Sequence, residues 1–187
     1  MKKSLITAAV LAASFAAPAA FAETVPDSDM GTLIINGFIK GTTCHFANGA
    51  QSAEIPMNQI GLDTMTGLTA GDAYVGYQNK TSTSFKVKCA AGTEVPTLKF
   101  LPDQFAVTGD KSVTKTVGGT GQATGVGYAI FINGTRINSD GTTPISSVKN
   151  DNGEYTFDIF AQYARAPGSN VTAGAVDSTV TFTVVTD

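Results

Sequence analysis

Single alternation of apolar and polar residues recurs along the chain in short runs, punctuated by Gly, Asn, Asp and Pro, which is the pattern of half-buried strands joined by turns. Leu33, Ile35, Gly37 and Ile39 lie two apart, so a strand here presents all four on one face. The glycine leaves a gap in that ridge and marks a place where another surface approaches closely. Thr32, Ile34, Asn36, Phe38 and Lys40 form a mixed opposite face. Phe85, Val87 and Cys89 share a face in a second run, and residues 97–101 form a third. Residues 126–132 run into Asn133-Gly134, a favoured two-residue hairpin turn, and 135–138 lead back out. In 154–164, Tyr155, Phe157, Ile159, Ala161 and Tyr163 alternate with Thr156, Asp158 and Gln162, and Phe160 interrupts the polar face. The chain ends in STVTFTVVTD, where Val180, Phe182 and Val184 alternate with threonines. Residues 102–124 are weakly patterned and read as loop. No internal repeat and no amphipathic helix of ordinary length stands out, so the pattern predicts an antiparallel β-sandwich.

The first 22 residues stand outside that pattern. Lys2 and Lys3 precede an apolar run from Leu5 to Ala17, and Ala20-Phe21-Ala22 is a small-x-small cleavage site, which together read as a secretory signal peptide. The run is too short to span a bilayer. Cleavage leaves 165 residues starting at Glu23 and moves the formal charge from −3 to −5. That length suits one domain with a sizeable core, and that charge disfavours nucleic acid and anionic membranes as partners. In an exported chain the two cysteines, Cys44 and Cys89, read as a disulfide. Closing such a loop stabilises by roughly 4 kcal/mol in the chain-entropy model. A metal or thiol catalytic pair lacks further ligands, because His45 is the only histidine.

Candidate chemistry is sparse. Nucleophilic catalysis needs a base beside Ser or Cys, and His45 next to a disulfide cysteine reads as a surface histidine. GGTGQATGVG, residues 118–127, has the glycines of a phosphate loop but neither its Gly-Lys-Ser/Thr ending nor a following helix. The acidic residues are scattered without calcium-loop spacing. No catalytic residue, metal site or cofactor is therefore expected.

Four features in order resemble one known family, the pilin subunits of bacterial chaperone–usher fimbriae, in particular type 1 major subunits. Gly31-Thr32-Leu33-Ile34-Ile35-Asn36-Gly37-Phe38-Ile39 followed by Cys44 is similar to the family's N-terminal arm. Cys44 and Cys89 match its cysteine pair, and TGVGYAIF (124–131) its strand before a hairpin. Gly174, fourteenth from the end, with Val180, Phe182 and Val184 resembles its C-terminal chaperone-recognition pattern, although Thr186 stands where the penultimate residue is usually Tyr.

The resemblance implies an incomplete immunoglobulin-like β-sandwich lacking its last strand. Residues 1–22 are then the signal peptide, 23–43 a donor-strand arm and 44–187 the pilin domain. The vacancy is a groove flanked by the first strand and by the C-terminal strand with Val180, Phe182 and Val184. A periplasmic chaperone fills it first, and the arm of the next subunit, through Leu33, Ile35, Gly37 and Ile39, fills it in the fibre. The arm of a free subunit is then expected to be loose. The implied partners are other copies and related pilins in a head-to-tail polymer, the chaperone and an outer-membrane usher, with export through the periplasm to a cell-surface fimbrium that contributes to adhesion. Such a head-to-tail contact does not close, so it builds a filament. A self-contained secreted β-sandwich that binds carbohydrate or protein is the competing expectation; the absence of Trp and the in-strand placement of most Tyr count against it.

Overall fold

A computed structural model of the chain describes residues 31–39, 44–47, 51–76, 79–80, 84–91, 93, 95–109, 111–138, 148–149 and 153–186. The expected signal peptide, residues 23–30 and 40–43 of the expected arm, and Asp187 lie outside the described residues.

The strands are β1 (Thr32–Ile39), β2 (Cys44–Phe46), β3 (Ser52–Pro56), β4 (Asn79–Lys80), β5 (Phe85–Cys89), β6 (Thr97–Phe100), β7 (Phe105–Thr108) and β8 (Lys111–Thr114). They continue with β9 (Val126–Ile132), β10 (Thr135–Arg136), β11 (Val148–Lys149), β12 (Glu154–Phe157), β13 (Ile159–Arg165) and β14 (Asp177–Val185). One short helix, α1 (Leu62–Thr66), follows β3. The sheets run β3-β1-β14-β6, β10-β9-β13-β4, β11-β12-β5-β2 and the hairpin β7-β8. The protein is thus an all-β sandwich, as the alternation predicts. The β3-β1-β14-β6 sheet packs over the other two four-stranded sheets: Phe182 on β14 meets Phe85 on β5 edge-on at 5.1 Å. Leu33, Ile35, Phe85, Val87, Tyr128, Ile130, Phe157 and Phe182 all belong to one continuous core.

Cys44 and Cys89 face each other across β2 and β5 and form the expected disulfide. The predicted hairpin turn is present: Asn133 has φ 49° and Gly134 φ 82°, the two left-handed residues a type I′ turn requires.

The sequence pattern and the fold part company in two places. Residues 154–164 read as one strand, but the chain breaks at Asp158 and passes from the sheet of β12 to that of β13. The turn residue Asn133 accounts for the break. Its side-chain oxygen accepts the Asp158 N–H (2.9 Å), its own N–H donates to the Asp158 carbonyl (2.9 Å), and the Ser84 hydroxyl donates to the Asp158 carboxylate. These bonds replace a ladder at that residue, while Tyr155, Phe157, Ile159, Ala161 and Tyr163 keep the same inward face.

Residues 102–124 are not simply loop, since they contain the β7–β8 hairpin. Its pattern is hidden because Ser112 and Thr114 point inward while Val107 is exposed. The buried hydroxyls are satisfied, as buried polar groups must be. Thr114 donates to Ser178 (3.0 Å), Ser178 to the Lys115 carbonyl (2.9 Å), and Ser112 to Asn138 (2.9 Å). β8 lies against the back of β9, where Gly127 leaves room for the Thr114 carbonyl and Val113, Ala129 and Ala164 form a small second core.

Candidate functional site

β1 sits in the middle of its sheet, between β3 and β14. Its inward residues follow the two-residue spacing read from the sequence: Leu33 and Ile35 are fully buried, Gly37 is buried, and Ile39 packs half-buried at the margin of the core. Ile34, Asn36 and Phe38 face outward, and Phe38 is 58% exposed. Burying Leu33 and Ile35 completely contributes about 3–6 kcal/mol of gross transfer free energy.

Three of the four expected arm residues stand opposite expected residues of β14. Leu33 stands opposite Ser178, Ile35 opposite Val180, Gly37 opposite Phe182 and Ile39 opposite Val184. The other wall of the slot is β3, with Ile55 opposite Leu33 and Ala53 opposite Ile35. The strand carrying Cys44 is not that wall; β2 lies in a different sheet. β1 runs antiparallel to β3 but parallel to β14, the one parallel strand pair among the described residues.

Gly37 is required by close approach. A Cβ there would lie 2.5 Å from the Phe182 ring and 2.9 Å from that of Phe46, so the ring of Phe182 fills the gap that the glycine leaves. Phe182 is itself held by Phe85 at 5.1 Å and Phe100 at 5.7 Å and cannot move aside cheaply.

The other end of the slot was not legible in the alternation. Gly31, just ahead of β1, is buried, and a Cβ on it would collide with the hydroxyls of Tyr128 and Tyr163 and the Val176 carbonyl. The Tyr128 hydroxyl donates to that carbonyl, the Gly31 carbonyl accepts the Met57 N–H (2.9 Å), and the Thr32 N–H donates to Val176 O and Asp177 Oδ1 (both 3.2 Å). Burial pushes the Tyr163 phenol above its ordinary value, and the Asp177 carboxylate adds to the shift against hydrogen bonds to Tyr128 and the Gly31 backbone. The phenol therefore stays neutral well into alkali.

Gly174 is not part of the slot. It lies exposed in the segment before β14 with φ 148°, and a Cβ there would strike the backbone of residues 121–123. The Ala175 N–H donates to Gly121 O (2.9 Å) and the Ala123 N–H to Ala175 O (2.8 Å). Its place is thus at the entry to β14, whose inner face Val180, Phe182 and Val184 form.

The structure differs from the expected loose arm. β1 occupies the slot of its own chain, because an unfilled slot would expose core side chains and two rows of backbone polar groups. Tyr128, Tyr163, Phe46 and the β3 residues Ala53 and Ile55 complete the site; the alternation Ser52-Ala53-Glu54-Ile55-Pro56 marks β3, and that of 154–164 marks the inward face of Tyr163, but neither shows that these residues meet β1.

Fold and site together define a β-sandwich closed by a strand from the start of its described chain. The family model described as fimbrial protein matches residues 33–186, and the chain belongs to that family. It is similar to the type-1 fimbrial protein subunit of Serratia marcescens, 32% identical over 194 residues covering 98% of each chain. It is also similar to the uncharacterized fimbrial-like protein YehD of Escherichia coli K12, 27% identical over 189 residues covering both chains completely. The protein is a chaperone–usher fimbrial subunit, a structural component of a surface fimbria that polymerises with other subunits, and not an enzyme. Among the described residues no helix is long and apolar enough to cross a membrane.

Proposed function

We propose that subunits are joined by exchange of the arm: Leu33, Ile35, Gly37 and Ile39 of one copy replace the recipient's own β1 between its β3 and β14. The observation that supports this most is the character of β1. It fills the centre of a sheet with fully buried residues, yet it stands at one end of the described chain and is joined to β2 by four residues. A strand so placed can leave its slot without unthreading any other element. Before assembly, a strand from the periplasmic chaperone occupies the slot and reads Val180, Phe182 and Val184, with Gly174 fixing the entry to β14. The outer-membrane usher then catalyses replacement of that strand as the subunit leaves the periplasm. The chain is mature from Glu23, its arm comprises 23–43 and its pilin domain 44–187. The finished fibre contributes to adhesion by presenting many copies at the cell surface.

Gly37→Leu tests this reading. In the slot as the chain's own arm fills it, a leucine here meets the Phe182 and Phe46 rings, and overpacking of this kind costs about 1–3 kcal/mol or more. Fibre yield is expected to fall steeply; a normal yield would contradict the register of the arm.

A further inference from the structure

Asn133-Gly134 forms the turn between β9 and β10, and this dipeptide is also chemically labile. Gly134 has no side chain to shield its nitrogen and the widest choice of backbone conformations. That nitrogen can attack the side-chain carbonyl carbon of Asn133. The N–Cγ bond forms, the Cγ–Nδ2 bond breaks, and ammonia leaves with the Gly134 proton. Water then opens the five-membered imide at either carbonyl and leaves Asp or isoAsp at position 133. Water is the only co-reactant consumed.

Exposure gives the turn no protection: Gly134 is exposed, and a Cβ on it would meet nothing within 4 Å. What the fold does supply is a hold on the reacting amide. Asn133 Oδ1 accepts the Asp158 N–H (2.9 Å), and Nδ2 donates to the Thr156 carbonyl (3.3 Å). The Asn133 N–H donates to the Asp158 carbonyl (2.9 Å), and the residue is set at φ 49° by the turn. For the imide to close, Nδ2 must give up Thr156, Oδ1 must give up Asp158, and Cγ must turn its face to the Gly134 nitrogen. From this we propose that Asn133 is a modification site that folding shuts: the unfolded subunit deamidates there, and the folded subunit is held against it.

The product does not replace the amide. Asp at 133 keeps an acceptor for the Asp158 N–H but has no donor for the Thr156 carbonyl. IsoAsp routes the main chain through the side chain, adds one carbon to a two-residue turn, and uses up the group that reaches Asp158. Both the β9–β10 turn and the crossing from β12 to β13 depend on Asn133, so one lesion strikes the joint between two sheets. A subunit that ages unfolded is thereby withdrawn from folding irreversibly, a loss set by chemistry on the unfolded chain.

The test compares the folded, oxidised full-length chain with the same chain reduced and unfolded in urea, incubated side by side in one buffer. Peptide mapping by mass spectrometry follows position 133 apart from the other Asn-Gly pairs at Asn36, Asn48 and Asn152, with isoAsp separated from Asp by chromatography. Deamidation of Asn133 is expected in the unfolded chain and at least tenfold more slowly in the folded one, equivalent to about 1.4 kcal/mol of opening free energy. Equal rates overturn the hold on the amide, and an unfolded chain that keeps Asn133 intact overturns the site itself. The aged unfolded chain is then refolded and reoxidised. IsoAsp133 is expected to be lost from the folded fraction and concentrated in the residue that fails to fold; its presence in both fractions at the input proportion overturns the irreversible withdrawal.

Discussion

Two strand pairs lie at the heart of this sandwich, and they are built differently. β9 and β13 pair antiparallel over seven residues, Val126 to Ile132 against Ile159 to Arg165. β9 is covered on both faces, by the main core and by β8 with its small second core. β1 and β14 pair parallel, and β1 is covered on one face only, its outer face leaving Phe38 exposed. The inner faces are equally buried, since Ile130 and Ile35 are both fully inaccessible. Depth of burial therefore does not distinguish these two strands. What separates them is the second face and the chain connection: to withdraw β9 would uncover two cores and unthread the β10 hairpin, whereas to withdraw β1 uncovers one.

The largest expected effect comes from the residue that both ladders of β14 depend on. Phe182→Ala removes a fully buried ring packed between Phe85 and Phe100 and is expected to lower subunit stability by about 3–5 kcal/mol. It should also reduce the amount of chaperone-bound subunit recovered from the periplasm. Unchanged recovery would remove β14 from the recognition surface.

A gentler pair sharpens the comparison. Ile35→Val and Ile130→Val each delete one buried methyl group and are expected to cost about 0.5–1.5 kcal/mol in denaturant unfolding. Only Ile35→Val should speed displacement of β1 by an added arm peptide, followed by fluorescence of a labelled peptide. Equal acceleration by both would mean that β1 leaves only when the whole sandwich opens.

The smallest effect concerns alkali. Because burial raises the Tyr163 phenol above its ordinary value, the neutral phenol stabilises the fold below pH about 10, the unfolded value. That contribution is lost as pH rises through the higher folded value. Tyr163→Phe should flatten the alkaline limb of the thermal-midpoint profile, and an unaltered limb would show that another group governs it.

Much of this was legible in the residues. The inward faces of β1, β5 and β14, the β9–β10 turn and the disulfide all follow from single alternation, Asn133-Gly134 and two cysteines in an exported chain. The β7–β8 hairpin was not legible, because Ser112 and Thr114 are buried as a hydrogen-bonded set and invert its pattern. Nor was the break at Asp158, whose cause is an asparagine 25 residues earlier. Within the site, Gly37 announced itself as a gap in an apolar ridge, but Gly31 did not, since its reason is a pair of tyrosine hydroxyls from β9 and β13. Alternation states which face of a strand is buried and not whose slot it fills, so β1 lying in its own chain is a property of the fold alone.

The most direct test of the arm as a separable filler of the slot is a thermal melt of the oxidised chain lacking residues 23–40, with and without a peptide spanning 23–43. A truncated chain that melts low and gains a sharply higher midpoint with the peptide is the predicted result. Cooperative melting at the full-length temperature, indifferent to the peptide, would show that the sandwich is complete without its first strand and would contradict the account.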